Sequence, residues 1–339
     1  MEIRKNVDLK SLTTFQLSCV SHFYTIAKSC DNVAEAIEFA KEKNVPIHIL
    51  GGGSNTIFTN PTIEVLVVKI EIRGMQIIKE NDSSVMICVG AGENWNDFVD
   101  YAVKNNYSGI EALSAIPGTV GGTPIQNVGA YGAEVSDVII SVEVFDIQEG
   151  EVGMLLNEEC DFSYRDSIFK KSAKDRYIIT NVIFKLSKIQ PKSPHYPGVR
   201  EYFESKNITN PSLKDISQSI VEIRKNKLPD PSEVASCGSF FKNPFVNEET
   251  YLTIKGKYPD VKAFKIEDGS YKIPAGWILE ILGYKGKRIG NLEFYSQNAL
   301  VLTNIGNATT DELLKLVKKV QLEVKKEFGI NIEPEPVFV

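Results

Sequence analysis

The chain is short of what several function classes require. Its five cysteines, at positions 19, 30, 88, 160 and 237, are odd in number and widely spaced. No Cys-x-x-Cys pair occurs, which argues against a disulfide framework and against a zinc site, so no metal is expected. Histidine occurs only as His22, His48 and His195, and the Gly-x-Ser-x-Gly elbow is missing. A Ser-His-Asp hydrolase is therefore disfavoured, and these histidines read as structural or exposed. No apolar run approaches the roughly eighteen residues needed to span a bilayer, and none follows the basic start Met1-Glu-Ile-Arg-Lys-Asn6. A cytoplasmic protein without a membrane partner is expected. The formal net charge is −6, and no basic cluster is interleaved with aromatics, so nucleic acid is not an expected partner.

What is present is ordinary globular composition: 339 residues, 42% apolar and 24% charged, enough for two or three domains. Most of the cysteines then read as reduced core thiols. The informative stretch is Ile116-Pro-Gly-Thr-Val-Gly-Gly-Thr-Pro-Ile-Gln-Asn-Val-Gly-Ala-Tyr-Gly132, in which five of seventeen residues are Gly and two are Pro. Gly118, Gly121 and Gly122 can turn successive N–H groups towards one centre, the makings of an anion cradle. Pro117 and Pro124 limit the backbone on either side, and Gln126 and Asn127 offer amides to a heterocycle edge. On composition alone an ordinary Gly-rich connection fits as well.

A second run, Leu50-Gly51-Gly52-Gly53-Ser54-Asn55, follows the strand-like Pro46-Ile-His-Ile-Leu50. It lacks the third Gly of a dinucleotide fingerprint, Thr56 to Pro61 does not open a helix, and no Walker-type loop exists. Two separate Gly loops, each after a β-type run, fit a pyrophosphate threaded between two small lobes.

This pair resembles the flavin-binding domain of the vanillyl-alcohol-oxidase type. Three further stretches, Tyr164-Arg-Asp-Ser-Ile-Phe169, Gly238-Ser-Phe-Phe-Lys-Asn-Pro244 and Glu333-Pro-Glu335, narrow the resemblance to the UDP-N-acetylenolpyruvoylglucosamine reductase family, from about Thr13 to Phe338. The resemblance implies an α+β fold: a two-lobed FAD-binding domain and a C-terminal α+β substrate-binding domain. The chain in order suits it. Asp31 reads as the cap of a helix through Val33, Ala36, Ile37 and Ala40, and from Val65 the texture turns to strands. Ser187 to Pro211 reads as a polar linker carrying Tyr196. Ser212 with Asp215, and Thr309 with Glu312, read as capping boxes of two later helices, the last ending at Gly329. The expected divisions are 1–65 and 66–211 for the FAD lobes, 212–328 for the substrate domain, and 329–339 for a segment returning to the active site.

Taken alone, Ser239 is a turn hydroxyl, Arg165 a surface partner of Asp166, Glu335 a solvated residue near the chain end, and Cys237 a structural thiol. The resemblance implies more for the first three. An enolpyruvyl ether is reduced by a hydride at the vinyl carbon and a proton at the adjacent carbon, where charge conjugates with the carboxylate. Ser239 is implied as the proton donor, with Arg165 and Glu335 around that carboxylate. Glu335 is expected to be protonated or to share a proton there, as burial beside a carboxylate favours.

The cofactor is implied to be FAD, with NADPH as co-substrate. No His lies in either Gly loop, so the flavin is expected to be non-covalent. Its expected contacts are Gly51, Gly52, Gly53, Ser54, Asn55, Pro117, Gly118, Gly121, Gly122, Thr123, Gln126, Asn127, Gly129, Tyr131 and Gly132. The nucleotide-sugar substrate is expected at Tyr196, in the class with a tyrosine loop, and at Lys227, Asn243, Lys285 and Asn298. Tyr196 is flanked by His195 and Pro197 rather than by the Tyr-Gly-Asp pattern of that loop, and Asn298 stands where some relatives have Gln. The expected state is a monomer. Related FAD oxidases of alcohols or sugars, and a sugar-nucleotide-binding regulator without catalysis, are the competing readings.

Overall fold

The first helix, α1 (Cys30–Lys43), forms where apolar residues recur at helical spacing, and Val33, Ala36, Ile37 and Ala40 are its buried face. In the computed structural model its cap is Ser29, whose hydroxyl accepts from the Asn32 N–H, and not Asp31, which lies inside the first turn. An Asp there still complements the helix dipole. The structure describes residues 1–189 and 196–339, so His195 and the part of the linker just before Tyr196 lie outside the described residues.

The chain divides into two compact units. One comprises residues 1–7, 20–52 and 62–225; the other comprises 8–19, 53–61 and 226–339. The first contains a four-stranded sheet ordered Arg4–Asp8, Val20–Ala27, Thr62–Ile70, Ile47–Leu50. Its last three strands run parallel, as the β-α-β reading of the N-terminal region requires, and α1 packs its apolar face on Phe23, Ala27, Leu66 and Val68.

A second sheet in the same unit has five antiparallel strands, ordered Glu151–Leu156, Ile139–Asp146, Tyr177–Ser187, Ser84–Gly90, Met75–Glu80. Alternation places Val85, Ile87 and Val89 on one face of Ser84–Gly90. There they join Phe184 and the Trp95, Phe98, Val99 and Ala102 stripe of helix α2 (Trp95–Lys104) in one core. Burying each of the large side chains contributes roughly 1.5–3 kcal/mol, and the Trp95 indole N–H is satisfied by Leu113 O at 3.0 Å. Phe98→Ala, at a fully buried position, is the single change that most directly opens this core.

The linker expected over 187–211 contains a helix instead. Helix α3 (Pro197–Ser205) starts at a proline, whose fixed φ suits a first helical position. It lays Val199 and Phe203 on Ile216, Ile220 and Ile223 of α4 (Leu213–Lys227). The Ser212–Asp215 box is present, with Asp215 N–H donating to Ser212 Oγ at 3.2 Å. Most of α4, through Lys225, belongs to the first unit rather than opening a new domain.

The second unit is built on a four-stranded sheet, Ala235–Ser239, Val301–Asn304, Leu292–Phe294, Arg288–Ile289, with helices α5 (Glu248–Lys257), α6 (Ala275–Ile281) and α7 (Thr310–Phe328). The Thr309–Glu312 capping box is formed, and Gly329 at φ 73° ends α7. Residues 8–19 and 53–61 complete this unit although the sequence division puts them in the first lobe. Ser236 N–H donates to Thr14 O at 2.9 Å, and Thr56–Ile57 pairs in parallel with Val337–Phe338. The divisions at 65, 211 and 328 follow chain order, whereas the units are defined by pairings between distant segments. No described helix is long and apolar enough to cross a membrane.

Candidate active site

The two Gly loops meet in the first unit. A Cβ at Gly52 would lie 2.8 Å from Gly118 Cα, and one at Gly51 would lie 2.7 Å from Thr119 Oγ1. Gly52 and Gly118 approach this closely because neither carries a side chain, and Gly118 takes φ 134° besides. A cradle that a methyl group would fill suits the backbone-lined pyrophosphate site of FAD. The donors differ from the sequence reading, however. The N–H groups of Gly121 and Gly122 donate to Ala91 O and Thr119 O at 2.9 and 3.0 Å, and that of Thr123 to Val120 O at 3.0 Å. These amides fix the loop's own shape. Thr123 is buried with its hydroxyl on Val120 O. Pro117 is exposed and Gln126 half-buried.

Further along, Gly129–Ala130 and Ala133–Glu134 form a two-residue hairpin with Tyr131 at φ 53° and Gly132 at φ 86° at its tip. That is the backbone of a type I′ turn, which Gly132 accepts freely and Tyr131 does not. Tyr131 is tied down accordingly. It is hydrogen-bonded to Arg224, and its ring meets that of Tyr196 edge-on at 5.2 Å. Burial raises the Tyr131 phenol above its usual range despite the guanidinium beside it. Tyr196 itself is 43% exposed at the start of α3.

Arg165 lies at φ 56° in a tight turn, Ser163 and Asp166 exchanging both backbone hydrogen bonds at 3.1 Å. Its guanidinium donates to Gly129 O at 2.6 Å and rests 5.2 Å from the centre of the Tyr164 ring. Asn127, expected to reach the flavin, is 1% exposed. Its amide nitrogen donates to Glu134 Oε2 at 2.8 Å and Ser163 O at 3.3 Å, and its oxygen accepts from Ser136 N–H at 3.1 Å. Those bonds engage both amide N–H groups and the oxygen of Asn127 within the protein.

In the second unit Ser239 sits on a β-bulge. The strand pairs Ser236 with Thr303 but Ser239 with Val301, and Gly238 takes φ 75° at the irregularity. The bulge half-exposes the Ser239 side chain, while Phe240 behind it is fully buried. The next residues are zipped to the Glu335 segment: Glu335 N–H donates to Phe240 O at 2.8 Å, and Lys242 N–H to Glu333 O at 2.9 Å. Asn55 Nδ2 donates to Glu335 O at 3.4 Å, so both peptide faces of Glu335 are fixed. Gly53, at φ 65°, could carry no side chain, because a Cβ would lie 2.0 Å from Leu12 O. Ser54 follows it in the same turn, its carbonyl accepting from Thr14 Oγ1 at 3.5 Å. Burial, with the Glu335 charge added, pushes the Cys237 thiol far above its usual range. Cys237 is therefore a neutral thiol beside Glu335, in keeping with a structural role.

Of the expected substrate residues, two meet at the start of α6. Asn243 Oδ1 accepts from Ala275 N–H at 2.8 Å, and a Cβ at Gly276 would lie 4.0 Å from Asn298 Oδ1. Asn298 Oδ1 also accepts from Leu300 N–H at 3.1 Å. Lys285 is exposed and paired with Glu280 at 2.9 Å, and Lys227 is exposed, without an ion pair among the described residues. The sequence reading missed Arg224. Its Nε donates to Ala115 O at 3.1 Å, its other partner among the described residues is the Tyr131 phenol, and burial lowers it from the usual guanidinium range. A half-buried cation facing these neutral groups suits an anionic ligand; a lone Arg on a helix gives no such signal in sequence. Among the described residues no group of three or more His, Cys, Asp or Glu is arranged to hold a metal.

A family profile described as the UDP-N-acetylenolpyruvoylglucosamine reductase C-terminal domain matches residues 230–339, and an FAD binding domain profile matches residues 22–154. The chain is 42% identical to the UDP-N-acetylenolpyruvoylglucosamine reductase of Flavobacterium johnsoniae and 40% identical to that of Bdellovibrio bacteriovorus, over 99% of both sequences in each case. The crystal structure of UDP-N-acetylenolpyruvylglucosamine reductase from Thermus caldophilus is similar in fold, with a TM-score of 0.69 at 23% identity, covering 100% of this chain and 99% of that one.

Proposed function

The chain belongs to the UDP-N-acetylenolpyruvoylglucosamine reductase family, and from that premise we propose that Ser239, Arg165 and Glu335 carry its chemistry. The reaction is reduction of UDP-N-acetylglucosamine enolpyruvate to UDP-N-acetylmuramate with FAD and NADPH, a step in making peptidoglycan precursor. FAD, when bound, would supply the hydride chemistry between NADPH and the vinyl carbon of the substrate.

The protein groups do the rest. Arg165 holds the substrate carboxylate, since a guanidinium keeps its charge and offers two parallel N–H donors. Glu335, protonated or sharing a proton, hydrogen-bonds the charge that develops there, and the Ser239 hydroxyl gives its proton to the adjacent carbon. Tyr196, Lys227, Asn243, Lys285 and Asn298 take the nucleotide sugar, and Arg224 adds a cation for one of its anionic groups. Gly51 to Asn55 and Gly118 hold the pyrophosphate of non-covalent FAD. A cytoplasmic monomer completes the proposal; its mass in solution tests the second part.

The observation that carries the reading is the Gly238 bulge, which half-exposes Ser239 on a strand edge whose next residues are pinned to Glu333–Glu335. A merely structural Ser would not require a strand to break register. Ser239→Ala is expected to leave flavin reduction by NADPH near normal and to slow flavin reoxidation by the enolpyruvyl sugar about 10²–10⁴-fold. Equal loss in both half-reactions would remove Ser239 from the proton-donor role.

A further inference from the structure

We propose that Asn127, with Glu134, is a positioning residue for Arg165 and not a cofactor ligand; this rests on the reading of Arg165 as the holder of the substrate carboxylate. The Arg165 turn is held in a conformation that a residue with a Cβ does not favour, φ 56°. Such backbone persists only where its surroundings over-determine it. Three bonds tie this turn to the glycine-rich stretch: Arg165 Nη2 to Gly129 O at 2.6 Å, Ser167 Oγ to Ile125 O at 2.7 Å, and Asn127 Nδ2 to Ser163 O at 3.3 Å.

Asn127 differs from the other two because it holds both ends of the Arg165–Gly129 bond. Through Ser163 it fixes the turn that carries Arg165. Through its 2.8 Å bond to Glu134 Oε2 it fixes the strand partner of Gly129, since Gly129 and Glu134 are directly paired across the hairpin. The Glu134 backbone is fixed in turn by its N–H, which donates to Asp137 Oδ2 at 3.0 Å. The bond to the Glu134 carboxylate is charge-assisted and the stronger of the two. Asn127 itself is at φ 43°, which Asn tolerates better than most residues, and it is 1% exposed.

Asn127→Asp is nearly isosteric and tolerates the same backbone, but it replaces the one amide nitrogen that makes both bonds with an oxygen facing the Glu134 carboxylate and the Ser163 carbonyl. The expected result is a loss of about 10- to 100-fold in kcat/KM for the enolpyruvyl sugar, as misplacement of a binding group produces. Flavin reduction by NADPH and the FAD Kd are expected to stay within about twofold, at the limit set by positioning alone. The deficit shrinks as pH is lowered, because the introduced carboxylate and the Glu134 carboxylate facing it take up a proton between them and a donor returns.

Adding Glu134→Gln to Asn127→Asp supplies an amide donor to the new carboxylate. It recovers part of the loss at neutral pH and abolishes the pH dependence of the deficit. The double variant also serves if the single one does not fold. Arg165→Met is the reference. If it leaves the substrate half-reaction intact, the reading of Arg165 fails. If Arg165→Met is crippled while Asn127→Asp keeps wild-type kcat/KM, the positioning proposal fails alone. Weaker FAD binding by Asn127→Asp with normal turnover per bound flavin would overturn it in favour of a cofactor ligand.

Discussion

A methyl group at position 52 probes the loop pair most directly. A Cβ there would lie 2.8 Å from Gly118 Cα, 3.1 Å from Gly118 C and 3.3 Å from Thr119 N, all backbone atoms with no rotamer to yield. Resting carbon contacts are about 3.5–4.0 Å, so Gly52→Ala must part the loops by roughly 0.7–1.2 Å. Overpacking of this kind costs about 1–3 kcal/mol. If the two loops together shape the pyrophosphate cradle, that strain appears in the cofactor equilibrium, and FAD affinity falls by about 5- to 150-fold. Titration of flavin-free protein with FAD, followed by flavin fluorescence, reads the change. Gly256→Ala is the control, because no heavy atom lies within 4 Å of a Cβ there. It is expected to leave FAD affinity unchanged and to stabilise α5 by up to about 1 kcal/mol. An unchanged FAD Kd for Gly52→Ala would refute the claim that the close approach shapes the cofactor site, even if the melting temperature fell.

Burial holds His48 at about 4, well below the usual imidazole value. The unfolded chain therefore takes up the proton first: stability is whole above about pH 6.5 and falls as pH drops from there towards 4, by at most about 3 kcal/mol. Denaturant titrations across that range are expected to show the fall, and His48→Gln to flatten it; an equal slope in both proteins would exclude His48 as the cause. Burial also raises Cys160 to about 12 and Cys19 to about 11, so native-state alkylation at pH 8 should reach the half-buried Cys30 and Cys88 first. Early labelling of Cys160 or Cys19 would contradict that burial. Denaturation is expected to release all of the flavin, and colour retained on the unfolded chain would show a covalent link.

The parts of this fold legible in sequence are those with a local cause. The Thr309–Glu312 and Ser212–Asp215 boxes, the α1 stripe and the two Gly loops each announce themselves within a few residues. Residues 53–61 do not, because what claims them is a partner such as Glu335, 280 positions away. Helix α3 was hidden by its setting among prolines and polar residues, with only Val199 and Phe203 fully inward. At the site, residue types were readable but not their satisfaction. Asn127 shows an amide in sequence, and only the structure shows that both its ends are spent. Gly121 and Gly122 show permissive backbone, and only the hydrogen bonds show that their N–H groups face inward. Arg224 is one of many basic residues until its burial against neutral groups is seen.

The central claim is tested most directly by following NADPH oxidation by the purified holoenzyme, at low oxygen, with and without UDP-N-acetylglucosamine enolpyruvate. The account predicts sustained consumption only with the enolpyruvyl sugar, one NADPH for each molecule of UDP-N-acetylmuramate formed. Oxidation that ignores the sugar and starts only when air is admitted, with hydrogen peroxide released, would contradict it.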